Sequence, residues 1–93
     1  MERRKFTDSE AKAAAEKLTG WTYNEGLLRK SVKFANFADA LAYVNTVGQI
    51  AEIADHHPDI TFGWGYADIL LTTHDRGGVT DVDIAVAVQI DAI

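Results

Sequence analysis

Thr80-Asp81-Val82-Asp83-Ile84-Ala85-Val86-Ala87-Val88-Gln89-Ile90-Asp91-Ala92-Ile93 is the stretch on which the fold turns. Val82, Ile84, Val86, Val88 and Ile90 alternate with the period of two of a strand. Ala85, Ala87 and Ala92 favour a helix instead, with Thr80 placed to cap it. Thr80-x-x-Asp83 has the spacing of a capping box, and a carboxylate suits the positive end of a helix dipole. On these residues alone the chain ends in either a strand or a helix.

Upstream, Asp75-Arg76-Gly77-Gly78 reads as a flexible loop. Before it, Ala67 to Thr73 predicts a strand, with Ile69, Leu71 and Thr73 on one face and Leu70, Thr72 and His74 on the other. His74 thus emerges at a strand end. Ile60 to Trp64 predicts the preceding strand, with Gly65 at the first corner of a tight hairpin.

Residues 37–55 form the longest helical pattern, carried by Phe37, Ala40, Leu41, Val44, Val47, Ala51 and Ala54. Pro58, the single proline, disfavours helical geometry at His57 and places His56 and His57 at the helix exit. A hairpin is expected from Trp21-Thr22-Tyr23 and Leu27 to Phe34 around the turn Asn24-Glu25-Gly26. Lys30 interrupts its apolar face, which predicts incomplete burial there. Residues 7–18 predict a first helix, opened by a Thr7–Glu10 capping box and stopped near Gly20.

The 93 residues make one domain, 1–93, with a small core for which a subunit interface is a plausible supplement. No cysteine is present, so disulfides, thiolate metal sites and thiol catalysis are excluded. The net charge of −5 weighs against nucleic acid and against an anionic membrane surface. The basic Met1-Glu2-Arg3-Arg4-Lys5 leads into no apolar run, and no stretch reaches membrane-span length. These features predict a soluble, intracellular, cytoplasmic protein.

All three histidines, His56, His57 and His74, fall between Glu52 and Asp83. Imidazole exchanges protons near neutrality, so histidines facing one pocket from a helix exit and a strand end can handle two protons on one substrate. Glu52 lies four residues before His56 and can orient that ring. Trp64 and Tyr66 can pack or stack on a planar ligand. Zinc or iron is a competing use of the histidines, disfavoured by the awkward His-His adjacency and the lack of a His-x-x-x-His pair. Gly77-Gly78 is too weak a signal for a phosphate cradle, and no nucleophile elbow is present.

Glu52, His56-His57-Pro58, Trp64, Thr73-His74-Asp75, Gly77-Gly78-Val79-Thr80 and Asp83, with Trp21, Phe34, Phe37 and Ala40 upstream, closely resemble the pterin-4a-carbinolamine dehydratase family. The resemblance covers nearly the whole chain. It favours the helix for 82–93 and implies an α+β fold of order α-β-β-α-β-β-α, a four-stranded antiparallel sheet with helices on one face.

It implies dehydration of a 4a-hydroxytetrahydropterin to the quinonoid dihydropterin. That is a step in tetrahydropterin recycling after an aromatic amino acid hydroxylase, and it requires neither metal nor organic cofactor. It implies His56, His57 and His74 as catalytic or positioning groups, with His56 as the main proton-transfer group and Glu52 supporting it. Asp55, Trp64, Thr72, Thr73 and Asp83 would line the pterin pocket. Trp64 stands where the family commonly has tyrosine, and Arg76 adds a cation nearby. The resemblance further implies a homodimer or homotetramer. It carries a second possibility, a dimerisation-cofactor or coactivator-like interaction module or an assembly factor on the same fold.

Overall fold

The computed structural model describes residues 3–93; Met1 and Glu2 of the basic N-terminal run lie outside them. Eight elements follow in order. They are α1 (Asp8–Glu16), β1 (Trp21–Asn24), β2 (Leu27–Lys33), α2 (Phe37–Ala54), β3 (Asp59–Gly63), β4 (Tyr66–Leu71), a 3-10 turn (His74–Arg76) and α3 (Asp81–Asp91). The strands form one antiparallel sheet in the order β1-β2-β4-β3. This is the expected α+β architecture, and the segment opened by Thr80 is a helix.

Local chemistry explains that outcome. Thr80 accepts from the first-turn amides of α3, and the Asp83 carboxylate returns a bond to the Thr80 amide, completing a capping box. The strand-like alternation of valine and isoleucine is overridden because α3 buries Asp83, Val86, Ala87 and Ile90, spaced at three and four residues, against the sheet. A capping box between Thr7 and Glu10 likewise opens α1.

The sheet presents Trp21, Leu28, Ile69 and Leu71 to the helices, where they meet Ala11 and Ala15 of α1, Val47 of α2 and Val86, Ala87 and Ile90 of α3. Leu28, Ile69 and Leu71 are fully buried, each contributing about 1.5–3 kcal/mol. The other face carries Thr22, Arg29, Asp68 and Leu70, so all three helices lie on one side.

Three local expectations are corrected. The last hairpin is shifted: β3 ends at Gly63, β4 at Leu71, and Gly65 takes the second corner, with φ 82°. His74 therefore starts a 3-10 turn instead of ending a strand. That turn is tied by Thr73 N–H to Gly78 O at 2.9 Å and Gly78 N–H to Thr73 O at 3.4 Å, so the predicted flexible loop is a hydrogen-bonded one. Lys30 is only partly buried, as expected, and its Nζ reaches Asp91 Oδ1 at 2.6 Å.

Asp91, the last residue of α3, also accepts from Trp21 Nε1 at 2.8 Å and the Thr19 amide at 3.0 Å. Burial pushes its carboxyl up, but the Lys30, Thr19 and Trp21 hydrogen bonds outweigh this and hold it below the ordinary value. At the other end of α3, the N-terminal segment runs beside residues 79–81. Phe6 N–H donates to Val79 O at 2.9 Å, Lys5 pairs with Thr80, and the Arg4 amide donates to Asp81 Oδ1 at 3.2 Å.

Candidate active site

Helix α2 ends at Asp55, whose left-handed backbone (φ 51°, ψ 42°) caps it. The His56 amide still bonds back to Ala51 O at 3.1 Å. Asp55 therefore turns the chain sharply, Pro58 prevents further winding, and the two imidazoles diverge. His56 is buried at 8% exposure, while the His57 side chain is 55% exposed.

His74 approaches from the exit of the neighbouring strand. Together His56, His57, Asp55, Thr72, Thr73, His74, Asp75 and Arg3 line a concavity of about 330 Å³. This is near the lower end of small-molecule pockets, which run from about 300 to 1,000 Å³. Thr72 Oγ1 donates to Gly26 O at 2.8 Å and ties the pocket floor to the first hairpin.

Two imidazoles have carboxylate partners. His56 Nε2 lies 2.5 Å from Asp83 Oδ1, and both side chains are buried. Asp83 Oδ2 accepts from Thr73 Oγ1 at 2.8 Å and from the Thr80 amide at 2.9 Å. Asp83 is thus the helix cap foreseen for it and, fully buried, stands behind His56 and does not line the concavity. His57 Nε2 bonds Glu52 Oε2 on the solvent side. Glu52 thus supports His57, not His56 as the four-residue spacing suggested, because His56 turns inward at the end of α2.

The structure brings together His56, His57, His74, Asp55, Thr72 and Thr73 around the concavity. Asp83 stands behind His56, and Glu52 stands at the rim. Trp64 occupies the β3–β4 turn at the far end of that hairpin, is 73% exposed and does not line the concavity. Its hairpin register pairs Gly63 with Tyr66, while the histidines cluster near the Asp59–Leu70 end.

Sequence reasoning missed Arg3 as a lining residue. Its Nη1 pairs with Asp75 Oδ2 at 3.3 Å, a contact across 72 residues that no local pattern announces. It also missed Thr80 as a bonded neighbour of Thr73. No group of three or more histidine or carboxylate side chains suited to hold a metal occurs among the described residues.

Comparison with known proteins follows the same lines. A protein of Mycolicibacterium vanbaalenii, provisionally named a pterin-4-alpha-carbinolamine dehydratase, is 45% identical over 95% of each chain. A similarly named protein of Roseiflexus is 42% identical over 96% of each.

Among solved structures, a transcriptional coactivator/pterin dehydratase from Brucella melitensis superposes with a TM-score of 0.89 at 32% identity, covering 96% of this chain and 97% of that one. A pterin dehydratase-like protein identified as a RuBisCO assembly factor in the alpha-carboxysome gives 0.62 at 26% identity, covering 77% and 83%. The sequence profile described as pterin 4 alpha carbinolamine dehydratase matches residues 4–93, and the chain belongs to that family.

Proposed function

We propose that this chain dehydrates 4a-hydroxytetrahydropterin to quinonoid dihydropterin, with histidines as the acid and base. The carrying observation is the convergence of three imidazoles on one ring-sized concavity, two of them held by carboxylates. In the reaction the C4a–O bond breaks, and the hydroxyl leaves with an added proton as water. N5 gives up its proton, and the C4a–N5 bond gains a second pair.

One proton is delivered and one removed, a task for positioned imidazoles worth about 10²–10⁴-fold. His56 is the main proton-transfer group in this reading, since its ring is both desolvated and oriented. His57 and His74 serve the hydroxyl side from the exposed rim, with Asp55, Thr72 and Thr73 along the ring. The substituent on the pterin ring points to solvent, and neither metal nor organic cofactor takes part. Trp64, at the far turn, has no part in the ring contacts of this reading.

The test follows loss of the carbinolamine in a stopped-flow assay with wild type and His57→Ala side by side. Wild-type protein is expected to accelerate dehydration, and the variant to lose most of that acceleration. Equal rates with and without wild-type protein would end this reading.

A second reading is a protein-interaction or assembly role, favoured by the names of the two structural neighbours and by exposed Ile53 and Trp64. Retained cellular function in a triple histidine variant would support it over catalysis. Under either reading we propose a cytoplasmic homodimer or homotetramer. Sedimentation showing only monomer at micromolar concentration would contradict that.

A further inference from the structure

The hydrogen bonds behind His56 have a fixed direction, and that direction selects one ring nitrogen. An amide can only donate, so the Thr80 N–H gives its proton to Asp83 Oδ2. The Thr73 hydroxyl donates to the same oxygen at 2.8 Å. Its single proton is then committed, so the 2.9 Å contact between the two threonine hydroxyls has Thr80 donating to Thr73. Thr73, Thr80 and Asp83 are all buried, so water does not relieve these constraints. Oδ2 therefore holds two donors, and Oδ1 is left to face His56 Nε2.

We propose that Thr73 is a positioning residue that acts through Asp83 to keep the neutral His56 ring protonated on Nε2, leaving Nδ1 as its proton-exchanging atom. The second half of this statement rests on the dehydratase reading; the first half does not. In the reaction, Nδ1 of neutral His56 takes the proton that leaves N5. The ring becomes an imidazolium whose Nε2–H stays on Asp83. The proton that converts the departing hydroxyl to water comes from a protonated imidazole at the rim.

Neither Thr73 nor Thr80 needs to touch the reacting atoms. Thr73 is suited to the task because its backbone is clamped on both sides of the 3-10 turn by Gly78. Its hydroxyl rotor is set by the two partners it meets.

The test is ¹⁵N NMR of the histidine rings at about pH 8, above the ordinary imidazole value of about 6.5. His56 is assigned by comparison with His57→Gln and His74→Gln. Wild type is expected to show a protonated Nε2 and a bare Nδ1. Thr73→Val removes the donor at nearly constant volume. It is expected to give a mixed tautomer signature and about 10–100-fold slower dehydration, the range seen when a group orienting a histidine is lost. Thr73→Ser is expected to restore both.

If the valine variant does not fold, Thr73→Cys supplies a weaker donor of similar size and an intermediate signature. A wild-type proton on Nδ1, or Thr73→Val with unchanged tautomer and rate, would overturn the proposal. A wild type that does not dehydrate the pterin, but whose His56 tautomer responds to Thr73 as stated, refutes the reaction and leaves the positioning role standing.

Discussion

Glu52 bonds His57, five residues on, and not His56, four residues on. The helix ends between them, so ordinary helical spacing no longer decides which side chains meet. The pair is largely exposed, at 55% and 76%. Glu52→Ala is therefore expected to cost less than about 1 kcal/mol of stability. Its effect on dehydration is expected to be smaller than that of Asp83→Asn. Parallel denaturant melts and rate measurements on the two variants check the ranking; a larger rate loss in Glu52→Ala would reverse it.

Asp83→Ala removes a buried carboxylate from three donors at once: His56, Thr73 and the Thr80 amide. Breaking a buried pair of this kind costs about 3–5 kcal/mol. For a domain this small each kcal/mol moves Tm by about 4–8 °C. Calorimetry should show a drop of at least about 12 °C. A drop of only a few degrees would mean that water or a neighbouring group replaces the carboxylate.

His56→Ala should lower the dehydration rate by about 10²–10⁴-fold. It also leaves the buried Asp83 carboxylate without its ring partner, so a loss of stability accompanies the loss of rate although the backbone bond from residue 56 to Ala51 O remains. A far-ultraviolet dichroism spectrum beside the stopped-flow trace separates the two effects. A rate within a few-fold of wild type would transfer the main proton-transfer role to His57 or His74.

Asp91 ties acid stability to the end of α3. Burial disfavours its charge, but its bonds to Lys30, the Thr19 amide and Trp21 prevail, and the folded carboxyl titrates below the ordinary value of 3.8. The unfolded chain thus binds more protons in the window between the two values. Asp91 stabilises fully above the ordinary carboxylate range, and the contribution is lost as pH falls through the depressed folded value. The stability gap between wild type and Asp91→Asn should be widest near neutrality and close on acidification. Tm measured for both proteins from pH 7 to pH 2 would show it; a gap that widens in acid would contradict the sign.

Gly65→Ala places a methyl group at φ 82° and 3.1 Å from the Phe34 carbonyl oxygen. The left-handed backbone alone costs about 1–2 kcal/mol in any residue with a Cβ. Urea unfolding is expected to show at least that loss. An unchanged midpoint would mean that the β3–β4 turn relaxes into another type.

The order of elements was legible because caps and periodicity are local. Thr7 with Glu10, the apolar ladder of residues 37–54, and Pro58 each act within a few residues. The final segment was ambiguous because β-branched residues serve either structure, and the box at Thr80 and Asp83 decides it only when the sheet is there to cover. The histidines could be read as a group, but not their partners. Glu52 meets His57 instead of the expected His56, and His56 finds Asp83, because the left-handed turn at Asp55 redirects the chain, and no residue type announces that turn. Lys30 looked misplaced on an apolar face until Asp91, 61 residues away, supplied its counter-charge.

The strap formed by residues 4–6 against residues 79–81 joins the two ends of the molecule beside the cap that holds Asp83. A fragment stopping before Thr80 would contain every histidine, yet His56 would lose its Asp83 carboxylate and the strap would keep only Val79. Non-local contacts of this kind raise the contact order and slow folding as a whole. The pocket chemistry is thus a readout of completed folding: a refolding chain can regain its hairpins and the long helix early and still lack an oriented His56. Refolding followed by dichroism should therefore run ahead of refolding followed by the His56 ring signal.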